Sequence, residues 1–117
     1  MHPIIQRTEL LDARNDRLLT MGQGLELRPG DATDQVQVWA EVARPGFFRR
    51  RPRHVFIGQL GPEAAEQIHD GVKTGKFYRV RLVELIPPHL RKRGSSGVIV
   101  SVWGEETTVI RPAPESR

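Results

Sequence analysis

The run "QVQVWAEVA" at residues 35–43 sets an apolar residue at every second position from Val36 to Val42. A period of two is the spacing of a half-buried strand, whose successive side chains point to opposite faces. It sets Val36, Val38, Ala40 and Val42 on one face and Gln35, Gln37, Trp39 and Glu41 on the other. Trp39 therefore falls on the polar face. Four further short runs read as strands: "GLELR", "HVFIGQL", "KFYRVRLVELI" and "VIVSVWG". In "KFYRVRLVELI", Tyr78, Val80 and Leu82 oppose Arg79 and Arg81. In "VIVSVWG", Val98, Val100 and Val102 oppose Ile99, Ser101 and Trp103. Turn chemistry separates the runs, as in "PGDATD" and the Pro45-Gly46 pair.

One segment reads as a helix. In "GPEAAEQIHDGV", Pro62 suits the first helical position and Glu63 and Glu66 complement the positive end of the helix dipole. Ala64, Ala65, Ile68 and Val72 form its apolar face, and Gly71 or Gly75 ends it. A second short helix is expected to start at Thr8, where Leu10, Leu11, Ala13, Leu18 and Leu19 make a partial apolar stripe. "ETTVIRP" is a candidate edge strand. Five strands with one or two short helices predict a mainly β fold, a small, partly open OB-like or SH3-like barrel. The expected organisation is one domain over residues 1–110 and a polar tail at 111–117.

The chain of 117 residues has no cysteine, which excludes a disulfide framework, a thiolate nucleophile and a zinc knuckle. No apolar stretch is long enough to span a bilayer, and "MHPIIQRTEL" lacks the apolar core of a secretory signal. A cytoplasmic protein is expected. His2, His54, His69 and His89 are scattered without metal-ligand spacing. Ser95 and Ser96 sit in a Gly-flanked "RGSSG" that reads as a turn, not as a phosphate loop between strand and helix. No enzyme, cofactor or metal is expected.

Charge is the more informative signal. Residues 44–93 carry twelve basic side chains against four acidic ones, whereas the rest of the chain carries six against ten. That asymmetry is the footprint expected of a polyanion-binding surface. "RPGFFRRRPRHVFIGQL" at residues 44–60 places Phe47 and Phe48 against Arg49, Arg50, Arg51 and Arg53. Arg79 and Arg81 share a strand face, and Arg91, Lys92 and Arg93 form a basic loop. Trp39, Phe47, Phe48, Phe77 and Trp103 are candidate platforms for stacking bases, the alternative for Phe77 and Trp103 being that they close the ends of the core.

The segment "VFIGQLGPEAAEQIHDGVKTGKFYRVRLVEL" resembles the HIRAN domain through Ile57, Gly58, Leu60, Ala65, Ile68 and Val80, and "VSVWGEE" resembles its closing strand. The resemblance covers roughly residues 25–106. It implies an OB-like barrel with added helices that holds the 3′ end of single-stranded DNA, with Asp34 in the place of a turn Asp near the terminal hydroxyl. Thr33 stands where the family has an aromatic residue, residues 1–24 diverge, and the connection "RPGFFRRRPRH" is longer than the family's. The expected function is a non-catalytic module binding single-stranded DNA or DNA 3′ ends, with DNA favoured over RNA. The alternative is an assembly module, such as a phage or mobile-element structural protein, that uses Phe47 and Phe48 as a protein interface.

Overall fold

A computed structural model of the chain describes residues 1–32, 34–42 and 53–104. The elements are β1 (His2–Glu9), β2 (Gly24–Pro29), β3 (Val36–Val42), β4 (Arg53–Gln59), α1 (Pro62–Lys73), β5 (Tyr78–Leu85) and β6 (Val98–Gly104). All six strands form one antiparallel sheet in the order β1-β6-β5-β2-β3-β4. The sheet coils until the chain leaving β1 returns to the outer edge of β4. There Leu11 N donates to Gln59 O at 2.8 Å, Gln59 N donates to Leu11 O at 3.0 Å, and Arg14 N donates to Ile57 O at 2.7 Å. A single bridge does not close a barrel, so the fold is mainly β with a partly open sheet.

The alternation read from the sequence holds in three dimensions. Val36, Val38 and Ala40 of β3, Val80 and Leu82 of β5, and Val98, Val100 and Val102 of β6 are buried together. Helix α1 adds Ala64, Ala65 and Ile68 to this core. Its start matches expectation, with Pro62 in the first turn and Glu63 beside it. Gly71 lies buried within the helix, where a Cβ would collide with the Tyr78 hydroxyl. The helix ends instead at Thr74, whose N–H donates to Asp70 O, and Gly75 follows in the left-handed region at φ +86°.

The expected helix at Thr8 does not form. Residues 2–9 are strand β1, and only a single 3-10 turn appears, at Asp16–Leu18. Asp12 and Asn15 both adopt positive φ, 52° and 61°, which interrupts any right-handed helix. The leucines also split: Leu10 and Leu19 are buried while Leu11 and Leu18 are exposed. Phe77 and Trp103 do not close the core either, since 67% and 37% of their surfaces are exposed. The segment "ETTVIRP" lies outside the described residues.

Candidate nucleic-acid interface

Because Val36, Val38 and Ala40 point inward, β3 must present Gln37, Trp39 and Glu41 outward. A register shift between Val38 and Trp39 sets Phe56 of β4 opposite Trp39 and leaves Ile57 buried. The two rings meet edge to face, their centroids 5.8 Å apart at 79°. From β2, the Arg28 guanidinium lies over the Trp39 ring at 4.3 Å, while Arg28 Nε donates to Glu26 Oε2 at 3.1 Å. From the far side, the Arg14 guanidinium lies 5.8 Å from the Phe56 centroid.

Arg14 reaches this face only because the chain after β1 crosses to β4. Left-handed Asn15 fixes the crossing, its side-chain amide donating to Phe56 O at 2.8 Å. The result is a row across β2, β3 and β4 that reads cation, ring, ring, cation: Arg28, Trp39, Phe56, Arg14. Trp39 Nε1 is held by Gln37 Oε1 at 3.0 Å, so the indole is fixed in orientation. Rings held in advance, with planar guanidinium groups beside them, suit ligands that combine flat faces with phosphates. The same hairpin ends at His54, which faces Glu41 at 3.7 Å, and at exposed Arg53.

The other residues singled out by sequence are distributed around the molecule. Phe47, Phe48, Arg49, Arg50 and Arg51 lie outside the described residues, in the connection from β3 to β4. Arg79 and Arg81 project from the outer face of β5, Arg79 opposite Trp103 and Arg81 opposite Ser101. Arg81 donates to Gly22 O at 3.1 Å. Arg91 is turned into the fold, donating to Ile86 O at 2.6 Å and to Asp16 Oδ2 at 2.9 Å. Lys92 and Arg93 are exposed beside it.

Asp34 stands apart from the arginines. It holds φ +68°, yet its turn is closed by Gln35, whose side-chain oxygen accepts from Ala32 N at 3.2 Å. The Asp34 carboxylate instead reaches His69 Nε2 of α1 at 2.9 Å, with Asp70 Oδ1 at 3.1 Å from the same nitrogen. It lines a groove of about 470 Å³ with Leu11, Gln35, Gln59, Leu60, Pro62, Ala65 and Glu66. Gln59 also donates to Asp12 Oδ2 at 2.6 Å. Among the described residues no Arg or Lys lines this groove, and its Asp34 and Glu66 carboxylates suit a hydrogen-bond donor and not a phosphate.

The "RGSSG" turn does bind an anion, but one from its own chain. Glu9 Oε2 accepts from Ser95 Oγ at 2.5 Å, Ser96 N at 2.7 Å and Gly97 N at 3.3 Å. The Ser95 hydroxyl holds the Glu9 carboxyl below its usual range against a smaller opposing effect of burial, and the Gly97 and Ser96 amides add to the lowering. The contact ties β1 to the β5–β6 connection.

Phe56, Arg14 and Arg28 were not legible as site residues. For Phe56 the signal was present: if Val55 and Ile57 face the core, the residue between them faces out. Compared with known families, curated proteins and solved structures, the chain matches none.

Proposed function

We propose that this chain is a non-catalytic module that binds single-stranded nucleic acid, DNA in preference to RNA, on the outer face of β2, β3 and β4. One observation carries the reading: the row Arg28, Trp39, Phe56 and Arg14, with ring and cation contacts of 4.3 to 5.8 Å. Bases stack on aromatic faces and guanidinium planes whatever their sequence, and phosphates accept from the remaining guanidinium N–H groups. The arginine run at 49–51 lies in the connection between β3 and β4, the two strands that carry the rings, and adds positive charge to that part of the chain.

The HIRAN resemblance supports the same reading and adds a role for Asp34. A terminal 3′-hydroxyl is a neutral donor, the kind of group that the Asp34 groove accepts, while the phosphates stay with the arginines outside it.

Fluorescence anisotropy at two salt concentrations tests this, with a single strand bearing a free 3′-hydroxyl, the same strand blocked, a blunt duplex and matched RNA. The expected result is single-strand binding that weakens steeply with salt. A further loss on blocking the 3′ end supports the Asp34 role; indifference to the end restricts the function to the stacking face. No binding to any probe at low salt, together with an oligomer of fixed size, replaces this reading with the assembly module and makes Phe47 and Phe48 its interface.

A further inference from the structure

We infer that the chain carries a second contact surface for single-stranded nucleic acid on the outer face of β5 and β6, so that one molecule holds two segments of strand at once. The inference rests on the function proposed above and extends it. Trp103 occupies the outer face of β6, paired with Arg79 on β5 and with Pro3 on β1. Trp103 is 37% exposed, and Phe77, at the approach to β5, is 67% exposed. Neither makes a ring contact with another described residue. Exposed aromatic side chains next to arginines offer the flat face and the charge that a nucleic-acid strand uses.

Among the described residues, the cations beside Trp103 on β5 are Arg79 and Arg81. Arg79 has no ion pair or hydrogen bond with another described residue, and Arg81 uses one N–H on Gly22 O. The acid on β5, Glu84, is taken by Arg7 of β1 at 2.5 Å. The Arg79 guanidinium, without an ion pair among the described residues, stands on β5 opposite the indole of Trp103. That is the composition of the first face again, a Trp on the middle strand and an Arg on the strand beside it.

Topology then sets the two faces apart. In the order β1-β6-β5-β2-β3-β4, β6 and β3 are three places apart in a six-stranded sheet whose ends meet at Leu11 and Gln59. Such strands lie on opposite sides of the coil, so Trp103 and Trp39 point away from each other. A short strand seated on one face leaves the other free.

The experiment mixes donor- and acceptor-labelled single strands of about a dozen nucleotides, within the span of one OB-type site. Energy transfer between them is read alongside the mass of the complex. Wild type is expected to give transfer, with one chain carrying two strands. Trp103→Ala and, as a variant that leaves packing intact, Arg79→Glu are each expected to abolish transfer and reduce the ratio to one strand per chain, with one-strand affinity within about twofold of wild type.

Wild type that binds one strand per chain overturns this inference and leaves the first face standing. A complex of two chains with two strands overturns it as well, since each chain then uses one face. Absence of any strand binding overturns both readings. An oligomer that Trp103→Ala dissolves, with strand binding unchanged, assigns the surface to a protein partner and overturns the inference.

Discussion

Arg91, Lys92 and Arg93 are consecutive in the chain, and Arg14 and Arg28 belong to different segments with no charge run around either. The fold reverses what that spacing suggests. Arg91 is drawn inward onto Asp16 and the Ile86 carbonyl, where it joins the β5–β6 connection to the segment after β1. Arg14 and Arg28, brought from opposite sides of a hairpin, end up in one row over two rings. Clustering along the sequence measures composition. Availability depends on what the fold leaves of each guanidinium: Arg28 gives Nε to Glu26 and keeps its plane over Trp39, whereas Arg91 donates its N–H groups to Asp16 and the Ile86 carbonyl, and Arg7 is held by Glu84.

The widest consequence of this contrast is for the rings. Trp39→Ala combined with Phe56→Ala removes both platforms, and at about 1–3 kcal/mol per stacked base the loss is on the order of 100-fold in single-strand affinity. Both side chains are half-buried on an outer face, so the fold is expected to survive, which circular dichroism checks. Affinity within twofold of wild type would remove the row from the site.

Arg91→Ala should behave in the opposite way. It strands the Asp16 carboxylate, whose side chain is only 28% exposed, without its partner. The expected cost is about 2 kcal/mol of stability, or a fall in melting temperature of roughly 8 °C. Strand affinity measured well below the transition should not change. A tenfold weaker affinity with unchanged melting would mean that Arg91 touches the ligand, and the distinction between the two groups of arginines would fail.

Smaller again is the effect of Arg14→Ala with Arg28→Ala. If each neutralises one phosphate, the slope of log affinity against log salt becomes shallower by about 1.4, near 0.7 per contact for a single strand. Lysine at both positions should restore the slope but not the full affinity, because an ammonium lacks the planar face that stacks. A slope that ignores both pairs of substitutions would assign phosphate binding to the arginine run at 49–51.

How far the sequence shows this arrangement depends on the range of the interaction. Strands β2 to β6 and helix α1 are written in local patterns: period-two alternation, Pro62 at a helix start, Gly and Pro between elements. Strand β1 is not, because irregularities between Pro3 and Ile5 and between Ile5 and Thr8 break the alternation of "HPIIQRTE". Trp39 facing outward follows from its neighbours alone. Arg14 beside Phe56 follows from pairing between residues 14 and 57, and the Asp34 contact with His69 from packing a turn against a helix. Neither has a local signature. A run of like charges, conversely, is conspicuous in sequence and silent about which members the fold will neutralise.

Glu9 carries the smallest and most specific prediction, and it concerns the same connection that Arg91 holds from the other side. Its carboxylate accepts from Ser95 Oγ, Ser96 N and Gly97 N more strongly when ionised, which lowers its pKa from an ordinary 4.5. A lowered folded-state pKa means that the unfolded chain binds the proton more readily. The stabilisation is therefore complete above about pH 4.5 and is lost as pH falls through the lower folded value. Glu9 is exposed, so solvent screens the contact and its worth is well under 1 kcal/mol. Urea unfolding at pH 7, 4.5 and 3 should show wild type slightly more stable than Glu9→Gln at neutral pH, with the two converging at the lowest. A gap that persists at pH 3 would mean that Glu9 holds the turn by shape and not by charge. The anion-binding character of the turn would then have no part in fixing where Lys92 and Arg93 stand.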